Sequence, residues 1–197
     1  MIHMQIPIRN IYYLLCYAYN KLEESQLIDI RAKDTTELVD LFTRILSSGT
    51  AQLIKRGLER GYVLKSQESK SIRGKINFNT SIKKDLFRKV MVHCEYDELS
   101  HDILHNRILK STMRLLIDIR DVNERLRGEL SSLMRQMSDV NEIALEKNIF
   151  SRVQLNSNNS FYDFVLKICE LIFSNIMVSE KLGQNKFRDF LRDEKQM

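Results

Sequence analysis

The sequence predicts an α+β fold, with several amphipathic helices packed on a small, mostly antiparallel sheet. Three observations carry that expectation. Apolar residues recur at helical spacing in separate stretches on both sides of the chain's middle. Between them, residues 57–98 switch to alternating and β-branched texture around glycines, which is the pattern of strands and turns. Finally, one proline and six glycines among 197 residues leave long helices unbroken, and an apolar fraction of 43% supplies a sizeable core.

In chain order, Ile8, Ile11, Tyr12, Leu15, Tyr19 and Leu22 predict a helix over residues 8–23, entered after Pro7. Tyr12, Tyr13 and Tyr19 on it read as core. LIDIRA alternates enough for a short strand. Asp34 and Glu37 form an N-cap pair, and Leu38, Leu41, Phe42, Ile45 and Leu53 carry a helix that stops near Gly57. GYVLKSQESKSIRGKINF then reads as strands and turns, and Phe87 to Tyr96, FRKVMVHCEY, as a further strand. Three helices follow. The first starts near Asp102 and uses Ile103, Leu104, Ile108, Leu109, Leu115 and Leu116. The second, near 122–137, uses Leu126, Leu130, Leu133 and Met137. The third runs from Asn159 through Phe161, Phe164, Val165, Ile168, Leu171 and Ile172, closing at Gly183, with VQLNSNNS as the loop before it.

Composition narrows the function classes. No run approaches the roughly 20 apolar residues that span a bilayer, and MIHMQIPIRN lacks the charged and apolar regions of a signal peptide. Cys16, Cys94 and Cys169 are widely spaced and read as small core residues in a reducing cytoplasm. No GxGxxG or GxxxxGK[ST] cradle for phosphates is present. Glu68–Ser69–Lys70 has the acid–x–Lys spacing of a metal-dependent nuclease but no partner Asp just upstream, so it reads as chance.

Charge is concentrated. From Lys55 to Lys89 there are eleven Lys and Arg against Glu59, Glu68 and Asp85, a balance of +8 in a chain whose total is +5, so the rest carries −3. Such a segment meets phosphates or an acidic protein surface, or is simply a solvated face.

The densest polar stretch is VHCEYDELSHDILHNRILK, Val92 to Lys110. His101 and His105 stand at i and i+4, close to the zincin HExxH, where two imidazoles share a helical face and a Glu activates bound water. Here the acid is Asp102, one methylene shorter, and no His follows His105. A strand-to-helix junction fits better. Ser100 and Asp102 suit an N-cap, and Glu95, Asp97 and Glu98 gather before a positive helix terminus. Asp97, Asp102, Asn106 and Arg107 are accordingly assigned to structure, with no metal site and no catalytic residue.

Six stretches in order then resemble the McrC family, the non-GTPase subunits of McrBC modification-dependent restriction systems. They are IPIRNIYYLLCYAYN, KRGLERGYV, SIRGKINF, YDELSHDILHNRILKST, NNSFYDFVLKIC and KFRDFLRDEKQM. The resemblance implies a partner, an McrB-type AAA+ GTPase ring that reads modified cytosine. It implies that the N-terminal part of the McrC subunit docks on that ring and stimulates GTP hydrolysis, ahead of a C-terminal PD-(D/E)xK nuclease. GTP and Mg then belong to the partner and to the nuclease, DNA is met only through the complex, and this chain holds no cofactor and is not itself an enzyme.

On that resemblance, residues 1–185 are expected to form one docking domain: a helical start at 8–56, a basic strand-and-turn region at 57–98 and a helical part at 102–183. Residues 186–197 read as the uncapped opening of a helix leading toward a nuclease domain beyond Met197. The candidate docking residues are Arg73 and Lys75 of IRGK, then Lys83, Lys84 and Arg88, on a basic projection able to enter an electronegative ring channel. The opposing reading is that Arg73 and Lys75 only pin a turn through local pairing. The competing function is direct, salt-sensitive DNA binding by residues 55–89.

Overall fold

The computed structural model describes residues 38–155 and 159–181. The expected helix over 8–23 with its three tyrosines, the LIDIRA strand, the Asp34/Glu37 cap pair, Cys16, the closing glycine at 183 and the segment 186–197 lie outside the described residues. The fold is α+β, as expected, and the chain divides into two compact units. One is helical and takes the described residues up to Leu58 and from Leu104 onward. The other is Glu59–Ile103.

In the helical unit, α1 (Leu38–Arg56) packs on three later helices: α3 (Leu104–Asp118), α4 (Glu124–Gln136) and α5 (Ser160–Lys181). Leu38, Leu41, Phe42 and Ile45 trace the i, i+3, i+4, i+7 stripe, and all are buried. Ser47, Gly49 and Thr50 are buried as well, so the second half of α1 buries small side chains beside Leu53. Gly57 ends the helix with φ +91°, a left-handed conformation in which a Cβ is strained. Lys55 and Arg56 sit in the last turn, where cations suit the helix dipole.

Several polar groups of this unit find partners on other elements. Asp40 is 7% exposed and its Oδ1 accepts the Asn123 backbone N–H at 2.9 Å. Asn123 in turn caps α4, its Oδ1 accepting the Arg125 N–H at 2.9 Å. At the other end, Lys110 Nζ donates to the carbonyls of Met137 at 2.8 Å and Val140 at 2.6 Å. An ammonium there satisfies acceptors that the helix leaves open. A 3-10 turn at Lys147–Arg152, which periodicity did not suggest, packs on α5.

In the second unit, β1 (Gly61–Ser69) and β2 (Lys75–Ile76) flank β3 (Val92–Ser100) in an antiparallel sheet of order β1-β3-β2. Gly61 pairs with Ser100 and Ser69 with Val92 along the whole length of β1. Between β2 and β3 lie a short helix, α2 (Phe78–Lys83), and a 3-10 turn at Leu86–Lys89.

Two boundaries differ from the sequence expectation. The strand expected at Phe87–Tyr96 begins at Val92 and extends to Ser100. Its first residues instead form the 3-10 turn, because Asp85 (φ +51°) and Val90 (φ +53°) are left-handed and bracket it. The next helix begins at Leu104 and not at Asp102. Ser100 still belongs to β3, and its Oγ accepts the Asp102 N–H at 3.0 Å, closing a turn before the helix.

Candidate functional site

The candidate docking residues Arg73, Lys75, Lys83, Lys84 and Arg88 all belong to the Glu59–Ile103 unit, and all are exposed. Gly74 places the first two. Its φ is +63°, and an added Cβ would stand 2.7 Å from the Tyr96 Cβ and closer still to the Glu95 carbonyl oxygen. Only glycine lets the chain turn this close to β3. The Arg73 backbone N–H points at Cys94 Sγ, 3.5 Å away, while Lys75 pairs with Glu95 in the β2–β3 register. Cys94 itself is fully buried. Among the described residues neither the Arg73 nor the Lys75 side chain makes an ion pair, and Glu95, opposite Lys75, accepts from Asn77 Nδ2 at 2.8 Å.

Asn77 also starts α2. Its Oδ1 accepts the Thr80 N–H at 3.0 Å, and the helix is pinned inward by Ser81, which is fully buried. Ser81 Oγ donates to the Asn77 carbonyl at 2.8 Å and accepts the His93 N–H at 2.9 Å. Lys83 closes the last turn of α2 and Lys84 is its C-cap. Lys84 Nζ stands 2.9 Å from Glu68 Oε1 on β1. The hydrogen bond and charge of Lys84 hold the Glu68 carboxyl below its ordinary value of 4.5, with Lys89 and His93 adding to the effect. Arg88 pairs with Asp85 at 3.5 Å. Two of the five cations are therefore tied within the unit, and Arg73, Lys75 and Lys83 face solvent.

The residues assigned to structure fall in both units. Asp97 is exposed on β3, opposite Leu64, and Asp102 is 4% exposed. Asn106 and Arg107 are on α3 in the helical unit, with Asn106 fully buried. The strand acids Glu95 and Glu98 serve neighbours within the sheet unit, Glu98 through Lys65 at 3.8 Å. His101 precedes α3, where its Nε2 accepts from Arg60 Nε at 2.8 Å, whereas His105 is on α3 with its ring edge-on to Tyr162 at 5.1 Å. The two imidazoles thus do not share a helical face. Among the described residues no three His, Cys, Asp or Glu side chains gather as a metal-holding group.

Apolar exposure was missed by sequence reasoning. Among the described residues, every large hydrophobic side chain that is exposed lies in this one unit: Tyr62, Leu64, Ile72, Phe78, Ile82, Phe87, Val90 and Leu99. Tyr62 and Leu99 pair directly across β1 and β3, so their side chains share a face of the sheet. The clue was available, because Phe78 and Ile82 stand at i and i+4 while the residues around them show no second apolar stripe. An arrangement of cations and bare apolar groups on a small sheet unit is suited to contact with another macromolecule.

The model of McrBC 5-methylcytosine restriction system components matches residues 8–193. The type IV methyl-directed restriction enzyme EcoKMcrBC of Escherichia coli K12 is 34% identical over 98% of this chain. The chain spans about half the length of that curated relative, 55%. Two solved structures share the fold. A cryo-EM structure of the Thermococcus gammatolerans McrBC complex aligns with 94% of this chain and 61% of its own, at TM-score 0.64 and 23% identity. A refined half-complex from a tetradecameric assembly of Thermococcus gammatolerans McrB AAA+ hexamers with bound McrC aligns with 84% of this chain and 40% of its own, at TM-score 0.64 and 25% identity. Among the described residues no helix is long and apolar enough to cross a membrane.

Proposed function

Because this chain belongs to the family of McrBC 5-methylcytosine restriction system components, we propose that it is the partner-docking module of an McrC-like subunit. In this reading it binds an McrB-type AAA+ GTPase ring, raises its rate of GTP hydrolysis, and couples that hydrolysis to DNA cleavage by the nuclease part that the McrC resemblance implies. The observation that carries the reading is the Glu59–Ile103 unit, a small sheet that displays Arg73, Lys75 and Lys83 to solvent. The likeness to a structure described as McrB hexamers with bound McrC supports it.

The module's own contribution is contact. A short sheet whose turn is locked by Gly74 against β3 presents its cations without rearrangement, so little ordering is required on docking. Cations brought to an electronegative channel speed encounter and fix orientation. GTP and Mg belong in this scheme to the ring and to the nuclease part, and residues of this chain act on neither directly.

The test is the GTP hydrolysis rate of the cognate ring, alone and with this chain, beside the Arg73→Ala/Lys75→Ala variant. A rise that the double variant loses is the expected result. No rise and no co-elution with the ring would reject the reading. Tight DNA binding without the ring, falling steeply with salt, would favour a direct DNA-binding domain instead.

A further inference from the structure

We propose that the Glu59–Ile103 unit is anchored on its protein partner by an apolar contact. The anchor is Phe78 and Ile82 of α2 with Phe87 and Val90 of the turn that follows, seated in an apolar depression with an acidic rim on the partner ring. The inference deepens the ring-docking reading and rests on it.

Exposure is the first observation. Phe78 is 59% exposed, Ile82 66%, Phe87 47% and Val90 78%. Single exposed apolar side chains are ordinary on a protein surface. Here four fall between residues 78 and 90, in a unit that holds all the large exposed apolar residues among those described. Phe78 and Ile82 are one helical turn apart, so they share a face of α2. What α2 buries is Ser81, a small polar residue, so the helix spends its hydrogen-bonding side chain inward and its apolar ones outward.

Backbone conformation is the second, independent observation. Val90 has φ +53°, a region where a β-branched residue is strained. Its side chain is 78% exposed, so burial in the free molecule does not offset that strain. Glycine or asparagine would fit the position better. The turn is nevertheless held firmly: Leu86 is 1% exposed beneath it, and the Met91 N–H donates to the Leu86 carbonyl at 3.0 Å. A strained valine held outward by a fixed turn is what a contact residue requires and a stability residue does not.

Charge selects the occupant. Lys83, Lys84, Arg88 and Lys89 alternate in the sequence with these four residues and are exposed like them, with Lys84 and Arg88 partly neutralised by Glu68 and Asp85. The complement is a protein surface with an apolar centre and a few acidic side chains around it. Nucleic acid fits less well: Phe78 and Phe87 offer π-faces, but Ile82 and Val90, the two most exposed of the four, do not, and two of the four neighbouring cations are already engaged.

The test measures the affinity of the full chain for the cognate ring at about 50 and about 300 mM salt, which spans strong and weak screening. Three variants accompany the wild type: Phe78→Ser/Ile82→Ser, Val90→Gly and Lys83→Ser/Lys89→Ser, each checked for folding by thermal melting. The apolar pair is expected to weaken binding by roughly 30-fold or more at both salts. Val90→Gly is expected to raise the melting temperature yet weaken binding, a combination that a purely structural role would not produce. The lysine pair should chiefly change the salt dependence.

Wild-type binding that the apolar pair and Val90→Gly leave within about threefold, well short of a hot-spot loss, overturns the anchor and leaves ring docking intact. Binding that collapses between the two salts and is abolished by the lysine pair also overturns it, in favour of electrostatic docking. Failure of the wild type to bind the ring rejects the docking reading itself. Binding of the same four residues to DNA or to anionic vesicles, without the ring, rejects a protein occupant.

Discussion

The Tyr162 hydroxyl donates to Oδ1 of Asn106 at 2.9 Å, joining two helices through residues 56 positions apart in the chain. Asn106 is fully buried on α3, and Tyr162, on the first turn of α5, is 6% exposed. His105 completes the arrangement, its ring edge-on to that of Tyr162 with an interplanar angle of 77°. A buried amide is expensive unless its oxygen and nitrogen find partners, so this contact fixes how α5 lies on α3. Tyr162→Phe keeps the ring and removes the donor. It is expected to cost about 1 kcal/mol, the net worth of one hydrogen bond, read as a lower urea midpoint with an unchanged slope.

Gly74→Ala should disrupt the sheet unit. The left-handed conformation alone costs an L-residue about 1–2 kcal/mol, and the added Cβ also meets the Tyr96 Cβ at 2.7 Å. Hydrogen exchange should rise at the β2–β3 pairing, where Lys75 meets Glu95 and Ile76 meets Cys94. Protection of α1 and α4 should be unaltered, since both lie in the other unit. Unchanged exchange at Ile76 would contradict the close approach described for this turn.

Glu68 offers a pH test. Its carboxyl titrates below the ordinary 4.5 because Lys84 donates to it and stands beside it as a positive charge. The folded value is thus lower than the unfolded one. The stabilisation is present above the ordinary carboxylate range and is lost as pH falls through the lowered value. Both side chains are open to solvent, so the effect on global stability is small. Lys84→Met is expected to move the Glu68 titration upward in an NMR series. A midpoint that stays where it was would show that Lys84 is not the cause.

Cys169 should be inert in the folded protein. It is fully buried on α5, and burial pushes its thiol up to about 12, the Thr112 hydroxyl opposing that only in part. Iodoacetamide at pH 8 or so is expected to label it only after denaturation, since an ordinary thiol near 8.5 would react there. Mass spectrometry of the native and denatured protein distinguishes the two. Rapid native labelling would mean that α5 opens locally.

Much of the helical unit was legible because its signal is local. The stripe Leu38, Leu41, Phe42, Ile45 and the stop at Gly57 are each written within a few residues of chain, and α4 lies within a residue or two of the 122–137 expected. Where the signal was not local, the reading slipped. FRKVMVHCEY looks like a strand because Phe87, Val90 and Val92 favour extended backbone. Two left-handed residues turn its first half into a 3-10 segment. The helix at Phe78–Lys83 left no apolar stripe facing inward to betray it, since it buries a serine. Of the site, the basic residues and their exposure near Gly74 could be anticipated, whereas of the bare apolar residues beside them only Phe78 and Ile82, at i and i+4, left a local clue.

By itself, then, the amino-acid order determined the fold class, the helical faces, the basic segment and the family, because periodicity, breakers, charge and motif order are properties of neighbouring residues. Tertiary structure alone decided that Asn106 is buried beneath Tyr162, that Lys84 crosses to Glu68 on β1, and that Phe78, Ile82, Phe87 and Val90 face outward. Each of those outcomes depends on a partner distant in the chain, or on the lack of one. An apolar side chain has the same tendency to leave water wherever it stands, and only the surrounding packing determines whether the fold can cover it.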